Sequence, residues 1–159
     1  MTFRIIEKQP QQVVSIRVIG PYAKTIPLGF KQLSSWQQQH QLPYESWLAL
    51  YWDNPETTPP ADLRADVAFS VADDFVLPAH ASSGVLLQII PGGTYAVYRA
   101  RVTDGDYAKA WGELYNLHLP ASGYLPAEGA CFEVYLNDGM VDGHFDIDIY
   151  QSVSPMDTE

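Results

Sequence analysis

Gly105-Asp106-Tyr107-Ala108-Lys109 decides the fold, because Gly20-Pro21-Tyr22-Ala23-Lys24 stands 85 positions before it. Each stretch ends a β-rich run and leads into a segment whose apolar residues recur at helical spacing. Two further matches follow in the same order. Tyr51-Trp52-Asp53-Asn54 corresponds to Tyr135-Leu136-Asn137-Asp138, 84 positions on. Asp66 to Val71 ends in Ser-Val, as Asp148 to Val153 does. Three matches in one order and near-constant register indicate an internal duplication. The repeats span about residues 1–72 and 85–153, each reading strand, strand, helix, strand, strand. Two such units make an antiparallel sheet with two helices on one face, an α+β architecture in a single domain.

Working outward, the alternating or β-branched runs predict strands at Phe3 to Glu7, Val13 to Ile19, Trp47 to Trp52 and Ala65 to Val71 in the first half. The second half supplies Val85 to Ile90, Thr94 to Val102, Cys131 to Leu136 and His144 to Val153. Pro91-Gly92-Gly93 predicts a hairpin joining the first two of these. A helix is expected over Ile26 to His40, with Thr25 as N-cap and Pro27 in the first turn. The second covers Tyr107 to Leu119, with Tyr107, Trp111 and Leu114 on one side and Asp104-Gly105-Asp106 offering the cap. Pro120 to Gly129 reads as loop, and residues 154–159 as a flexible tail.

At 159 residues the chain is long enough for a substantial core. The formal charge of −10 opposes direct binding to nucleic acid. It suits a basic partner surface or a cationic small molecule, although acidity for solubility alone is the safer account. A single cysteine excludes an intramolecular disulfide. No secretory leader opens the chain and no apolar run reaches the length of a membrane span, so a cytoplasmic protein is expected.

The strand Cys131 to Leu136 carries the candidate site. Alternation places Phe132, Val134 and Leu136 on one face and Cys131, Glu133 and Tyr135 on the other. A carboxylate in such apolar company either meets solvent, pairs with an arginine such as Arg64, Arg99 or Arg101, or forms the floor of a recognition cleft. If desolvated, its pKa rises. Counting back 84 positions from Glu133 reaches Ala49, so the first copy presents Trp47, Ala49 and Tyr51 where the second presents Cys131, Glu133 and Tyr135. About a pseudo-twofold axis these rows would line one aromatic groove with a single off-centre carboxylate. Glu133, Tyr135, Trp47, Tyr51 and Trp111 are therefore the candidate ligand-binding residues, suited to a cation or a polar aromatic.

Four stretches also resemble a known family: Tyr51-Trp52-Asp53-Asn54-Pro55, Leu63-Arg64-Ala65-Asp66, Gly92-Gly93-Thr94-Tyr95-Ala96-Val97, and Cys131-Phe132-Glu133-Val134-Tyr135-Leu136-Asn137. Their ordered set resembles the bacterial DNA gyrase inhibitor family, within the GyrI-like small-molecule-binding superfamily, from the first strand to about Val153. Trp52 stands where a tyrosine is expected. The resemblance implies a duplicated strand–helix–strand module and a cytoplasmic protein that binds DNA gyrase, restrains its supercoiling and protects against gyrase-directed toxins. It also implies, from multidrug-sensing relatives, a carboxylate at the place of Glu133 that recognises cationic ligands.

Other chemistry is weakly supported. His40, His80, His118 and His144 lack metal-ligand spacing, and no cofactor is expected. Gly92-Gly93 lacks the spacing and lysine of a phosphate loop, and Ser82-Ser83-Gly84 the flanking glycines of a nucleophile elbow. Glu133, Asp146 and Asp148 are the acid–base candidates for a hydrolase, a reading ranked behind binding.

Overall fold

A computed structural model of the chain describes residues 2–78 and 84–156. Eight strands appear among them: β1 Phe3–Lys8, β2 Gln11–Ile19, β3 Trp47–Tyr51, β4 Arg64–Ser70, β5 Val85–Ile90, β6 Gly93–Val102, β7 Tyr124–Tyr135 and β8 Phe145–Pro155. Helix α1 covers Tyr22–Gln39, α2 covers Tyr107–Glu113, and one further turn, α3, covers Gly139–Asp142. His80, Ser82 and Ser83, weighed above, lie outside the described residues, as do 157–159 of the expected tail. β8 runs through Ser154 and Pro155, which pair with Leu125 and Tyr124, so the strand takes up the first part of that tail.

The chain divides into two units, Pro10–Ile90 and Met1–Gln9 with Pro91–Glu159. The first is antiparallel in the order β3-β4-β2-β5, the second in the order β1-β6-β8-β7. Strands and helices are segregated, and the class is α+β as expected. The duplication is visible as an equivalence of pairs, Arg17↔Asp66 in one unit and Arg99↔Asp148 in the other.

The strand pairing corrects the hairpin expected from the sequence. The leading strand of each half completes the other unit, since β1 pairs with β6 and β5 pairs with β2. The hairpin expected at Pro91-Gly92-Gly93 therefore does not form. Both ladders obey one register, which pairs Lys8 with Gly93 and Gln11 with Ile90. The same count would set Pro10 against Pro91. Neither has an N–H to extend a ladder, and the pairing stops there.

Helix α1 begins at Tyr22, four residues before the expected start. Lys24 and Thr25 donate their amides to the Pro21 carbonyl, at 3.0 Å each. Thr25 is consequently inside the helix, its hydroxyl donating to Pro21 O at 3.2 Å rather than capping. Pro27 lies inside the helix, beyond the first turn where the sequence reading placed it. Tight packing sets the helix on its sheet: a Cβ on Gly29 would lie 2.8 Å from Val18 Cγ1 and 3.0 Å from Val67 Cγ2. Glycine alone permits this approach.

In the second unit Asp106 caps α2, its Oδ1 accepting the Lys109 amide at 3.1 Å. The helix continues as a wide π turn over Leu114–His118. Ala110 and Leu114 pack on Ala96, Tyr98, Ala100, Ile147 and Ile149 of the sheet. At the helix end His118 turns inward against Tyr98 and Phe3, and Leu117 is exposed. Much of the stretch read as loop, Pro120 to Gly129, belongs to β7. Its Pro126 and Gly129 mark a shift of register between Pro126 and Cys131, the bulge such residues favour. A Cβ on Gly129 would meet Ser152 Oγ at 2.6 Å, so the strand closes on β8 only through glycine.

Candidate functional site

Glu133 pairs across the sheet with Ile149, and Tyr135 with Ile147. Directly opposed residues share a face, and both isoleucines belong to the core beneath α2. The row Cys131, Glu133, Tyr135 shares one face, as the alternation predicted, and that face meets α2. Glu133 is 0% exposed. The Trp111 indole N–H of α2 donates to its Oε2 at 2.6 Å. The Tyr135 hydroxyl donates to its Oε1 at 2.9 Å. One of the alternatives for this carboxylate falls away. It does not meet solvent, and the arginines offered as partners hold other acids: Arg64 holds Asp53, Arg99 holds Asp148 and Arg101 holds Asp146.

Three further side chains lie around this cluster. Tyr115 stacks on Trp111 with ring centroids 6.0 Å apart and bonds Gln151 through its hydroxyl. Burial first, and the Glu133 charge second, push the Tyr107 hydroxyl up to about 12. The same causes in the same order push the Cys131 thiol from its usual 9.0 up to about 11. Cys131 is a core thiol, not an activated nucleophile.

The Cys131 shift predicts a pH dependence. Between pH 9 and pH 11 the folded thiol holds a proton that the unfolded thiol has released. Stability is intact below pH 9 and falls as pH rises towards 11, in full by about 3 kcal/mol. Cys131→Ala is expected to flatten this fall. Urea unfolding of both proteins at about pH 8 and about pH 10.5 checks it, since an equal fall in the variant excludes the thiol as its source.

The other two candidates lie in the unit Pro10–Ile90. Trp47 sits in an aromatic cluster, 6.1 Å from Phe30, 5.3 Å from Tyr44 and 5.2 Å from Phe69 between ring centroids. Tyr51 meets Tyr22 of α1 edge-on at 5.0 Å. Ala49 pairs with Val67 as Glu133 pairs with Ile149, so it is the structural counterpart of Glu133. Of the five candidates, the structure brings together Glu133, Tyr135 and Trp111.

The opposite sheet faces carry ion pairs that sequence reasoning missed. Asp66 is buried and accepts from Arg17 Nε at 2.6 Å, Trp52 Nε1 at 2.9 Å and Gln88 Nε2 at 3.1 Å. Trp52, the departure from the family pattern, also lies under the Arg17 guanidinium at 5.4 Å. Its counterpart Asp148 accepts Arg99 bidentately at 2.9 and 3.0 Å. Asp146, next along β8, is held by Arg101, whose hydrogen bond is the main cause holding its carboxyl below the usual range. Both acids lie on the face away from Glu133, which removes them as its partners in acid–base chemistry. Among the described residues no group of three or more His, Cys, Asp or Glu side chains could hold a metal ion.

The sequence profile described as the GyrI-like small molecule binding domain matches residues 1–153. The chain belongs to the GyrI-like family. Among curated relatives of this GyrI-like chain is the DNA gyrase inhibitor of Yersinia enterocolitica, 71% identical over 153 residues, covering 96% of this chain and 98% of the relative. The DNA gyrase inhibitor of Serratia proteamaculans is 56% identical over the same length, again covering 96% of this chain and 98% of the relative. The GyrI-like fold is shared with the EcmrR C-terminal domain, at a TM-score of 0.75, 16% identity and 98% coverage of each chain. It is shared also with SAV2435 bound to tetraphenylphosphonium, at 0.59 and 11% identity, covering 97% of this chain and 94% of that one. No helix of the described residues is long and apolar enough to cross a membrane.

Proposed function

We propose that this protein binds DNA gyrase in the cytoplasm and restrains its supercoiling activity, and so protects against gyrase-directed toxins. The observation that carries the reading is the 71% identity to a relative named DNA gyrase inhibitor, across nearly the whole of both chains. A formal charge of −10 suits the basic face of a DNA-handling partner. The protein acts by binding rather than by catalysis. The neighbour described as a hydrolase from Listeria innocua shares 11% identity, which carries the fold alone.

The test is titration of purified gyrase in a supercoiling assay. Inhibition is expected to saturate and to weaken as salt rises, because steering between opposite charges is screened. Undiminished supercoiling at large molar excess of the protein overturns the reading.

A second reading rests on the buried Glu133 with Trp111 and Tyr135: a site for an aromatic cation. Both carboxylate oxygens carry donors. A cation reaching Glu133 would displace the indole or the phenol and take over the charge.

A further inference from the structure

We propose that β5 is a docking edge on which an extended, basic segment of gyrase adds as a further strand. The inference rests on the gyrase-inhibitor reading and names the surface that reading leaves open. Among the described residues β2 is the one ladder partner of β5, which ends its sheet. The strand reads Val85-Leu86-Leu87-Gln88-Ile89-Ile90, with no charged residue. Leu86 is 60% exposed, Leu87 38% and Ile89 63%. Alternation sends Leu86 to one face and Leu87 and Ile89 to the other, so apolar side chains flank the outer edge on both sides.

Exposed edges are ordinarily protected by charge. β1, at the end of the other unit's strand order, obeys this rule with Arg4, Glu7 and Lys8 in six residues. β5 does not. It is also held in place, since Gln88 donates to Ser15 Oγ at 2.6 Å and to Asp66 at 3.1 Å. A rigid, uncharged edge loses little entropy when it gains a strand.

Charge selects the occupant. Gln12, the cross-strand partner of Ile89, anchors the loop after β4 through Ala72 O at 3.1 Å and Phe75 O at 3.4 Å. That anchor ties the loop carrying the exposed Asp73 and Asp74 to Gln12, the residue that faces Ile89 in the ladder. Two carboxylates there, on a chain of charge −10, favour a strand with lysine or arginine beside its apolar residues. They oppose a second copy of this acidic chain.

The test compares wild type with the double variant Leu86→Lys, Ile89→Lys in gyrase binding, supercoiling inhibition and amide hydrogen exchange. Both positions are exposed, so the fold is expected to survive, as a thermal melt verifies. The double variant is expected to need about tenfold more protein for half-inhibition, the loss of a central interface contact. Amides 85–90 are expected to slow on gyrase binding in wild type only. Leu125→Lys, an exposed substitution in the other unit, controls for added charge and is expected to inhibit normally. Asp73→Asn with Asp74→Asn is expected to flatten the salt dependence. If wild type fails to inhibit gyrase at all, the gyrase-inhibitor reading itself is lost. If wild type inhibits while the double variant inhibits equally and the amides stay unprotected, the docking edge is overturned. A wild-type dimer that the double variant dissociates without loss of inhibition overturns it too, by seating a second copy there. Should the double variant melt far below wild type, amide exchange in wild type decides, protection supporting the edge and its absence overturning it.

Discussion

Replacing Asp66 with alanine is expected to lower folding stability by about 3 kcal/mol, the scale seen when one partner of a buried ion pair is removed. The carboxylate is 4% exposed and joins three strands and Trp52 through Arg17, Trp52 Nε1 and Gln88. Without it the Gln88 amide loses an acceptor in a half-buried site. The Arg17 guanidinium and the Trp52 ring reach water, which limits the loss. Asp66→Asn keeps the shape and one acceptor, and is expected to cost about half as much. Asp148→Ala, which breaks a similar arginine pair without an indole or amide partner, is expected to fall below Asp66→Ala in effect. Urea midpoints for the three variants check the order. An Asp66→Ala protein as stable as wild type would mean that desolvation of the carboxylate cancels its hydrogen bonds. Because Gln88 sits on β5, amide exchange at 85–90 is expected to quicken in the same variant, linking this network to the proposed docking edge.

The duplication was legible because Gly20-Pro21-Tyr22-Ala23-Lys24 and its partner are local identities at one offset, and the period-two alternation that put Glu133 and Tyr135 on one face is equally local. The same counting identified Ala49 as the counterpart of Glu133, and the paired registers bear it out. The exchange of β1 and β5 was not legible. A Pro-Gly-Gly turn signal says where a strand stops, not which strand it then pairs with, and Pro10 and Pro91 interrupt two ladders whose register only the folded chain reveals. β7 was under-read for a related reason: Pro126 and Gly129 have loop chemistry, and only their fit against Ser152 makes them a bulge. Nor could spacing show that Trp111 meets Glu133, since that contact depends on how α2 lies on its sheet. The Arg17–Asp66 and Arg99–Asp148 pairs were within reach. Each unites opposite charges on strands already matched by the repeat, and only the pairing of those strands was needed to find them.

That placement of Glu133 under α2 sets up a test in which stability and binding move in opposite directions. Glu133→Gln is expected to raise stability at neutral pH by about 1 kcal/mol, or about 3 °C in Tm for a chain of this size. Burying a carboxylate costs several kcal/mol even after relaxation. The charged hydrogen bonds from Trp111 and Tyr135 exceed neutral ones by only about 1 kcal/mol each. Glutamine retains volume, accepts from the Trp111 indole, and can donate to the Tyr135 hydroxyl, which also accepts. Its neutral form removes the desolvation cost and leaves the hydrogen bonds made. Thermal melts decide the sign. A lower melting point for the variant would show that the two donors outweigh desolvation and that the carboxylate is kept for structure. A higher one marks a residue retained against stability, as functional groups often are. Binding then supplies the second readout. Aromatic cations such as tetraphenylphosphonium are expected to quench tryptophan fluorescence saturably in wild type, with Trp111 reporting directly. Loss of the buried charge at Glu133 is expected to weaken that binding by about tenfold or more, the worth of a desolvated ionic contact. Gyrase inhibition is expected to persist in the variant, because the β5 edge belongs to the other unit. Equal quenching by wild type and variant would remove Glu133 from the ligand's contacts. Loss of gyrase inhibition together with dye binding would instead make the two activities one site.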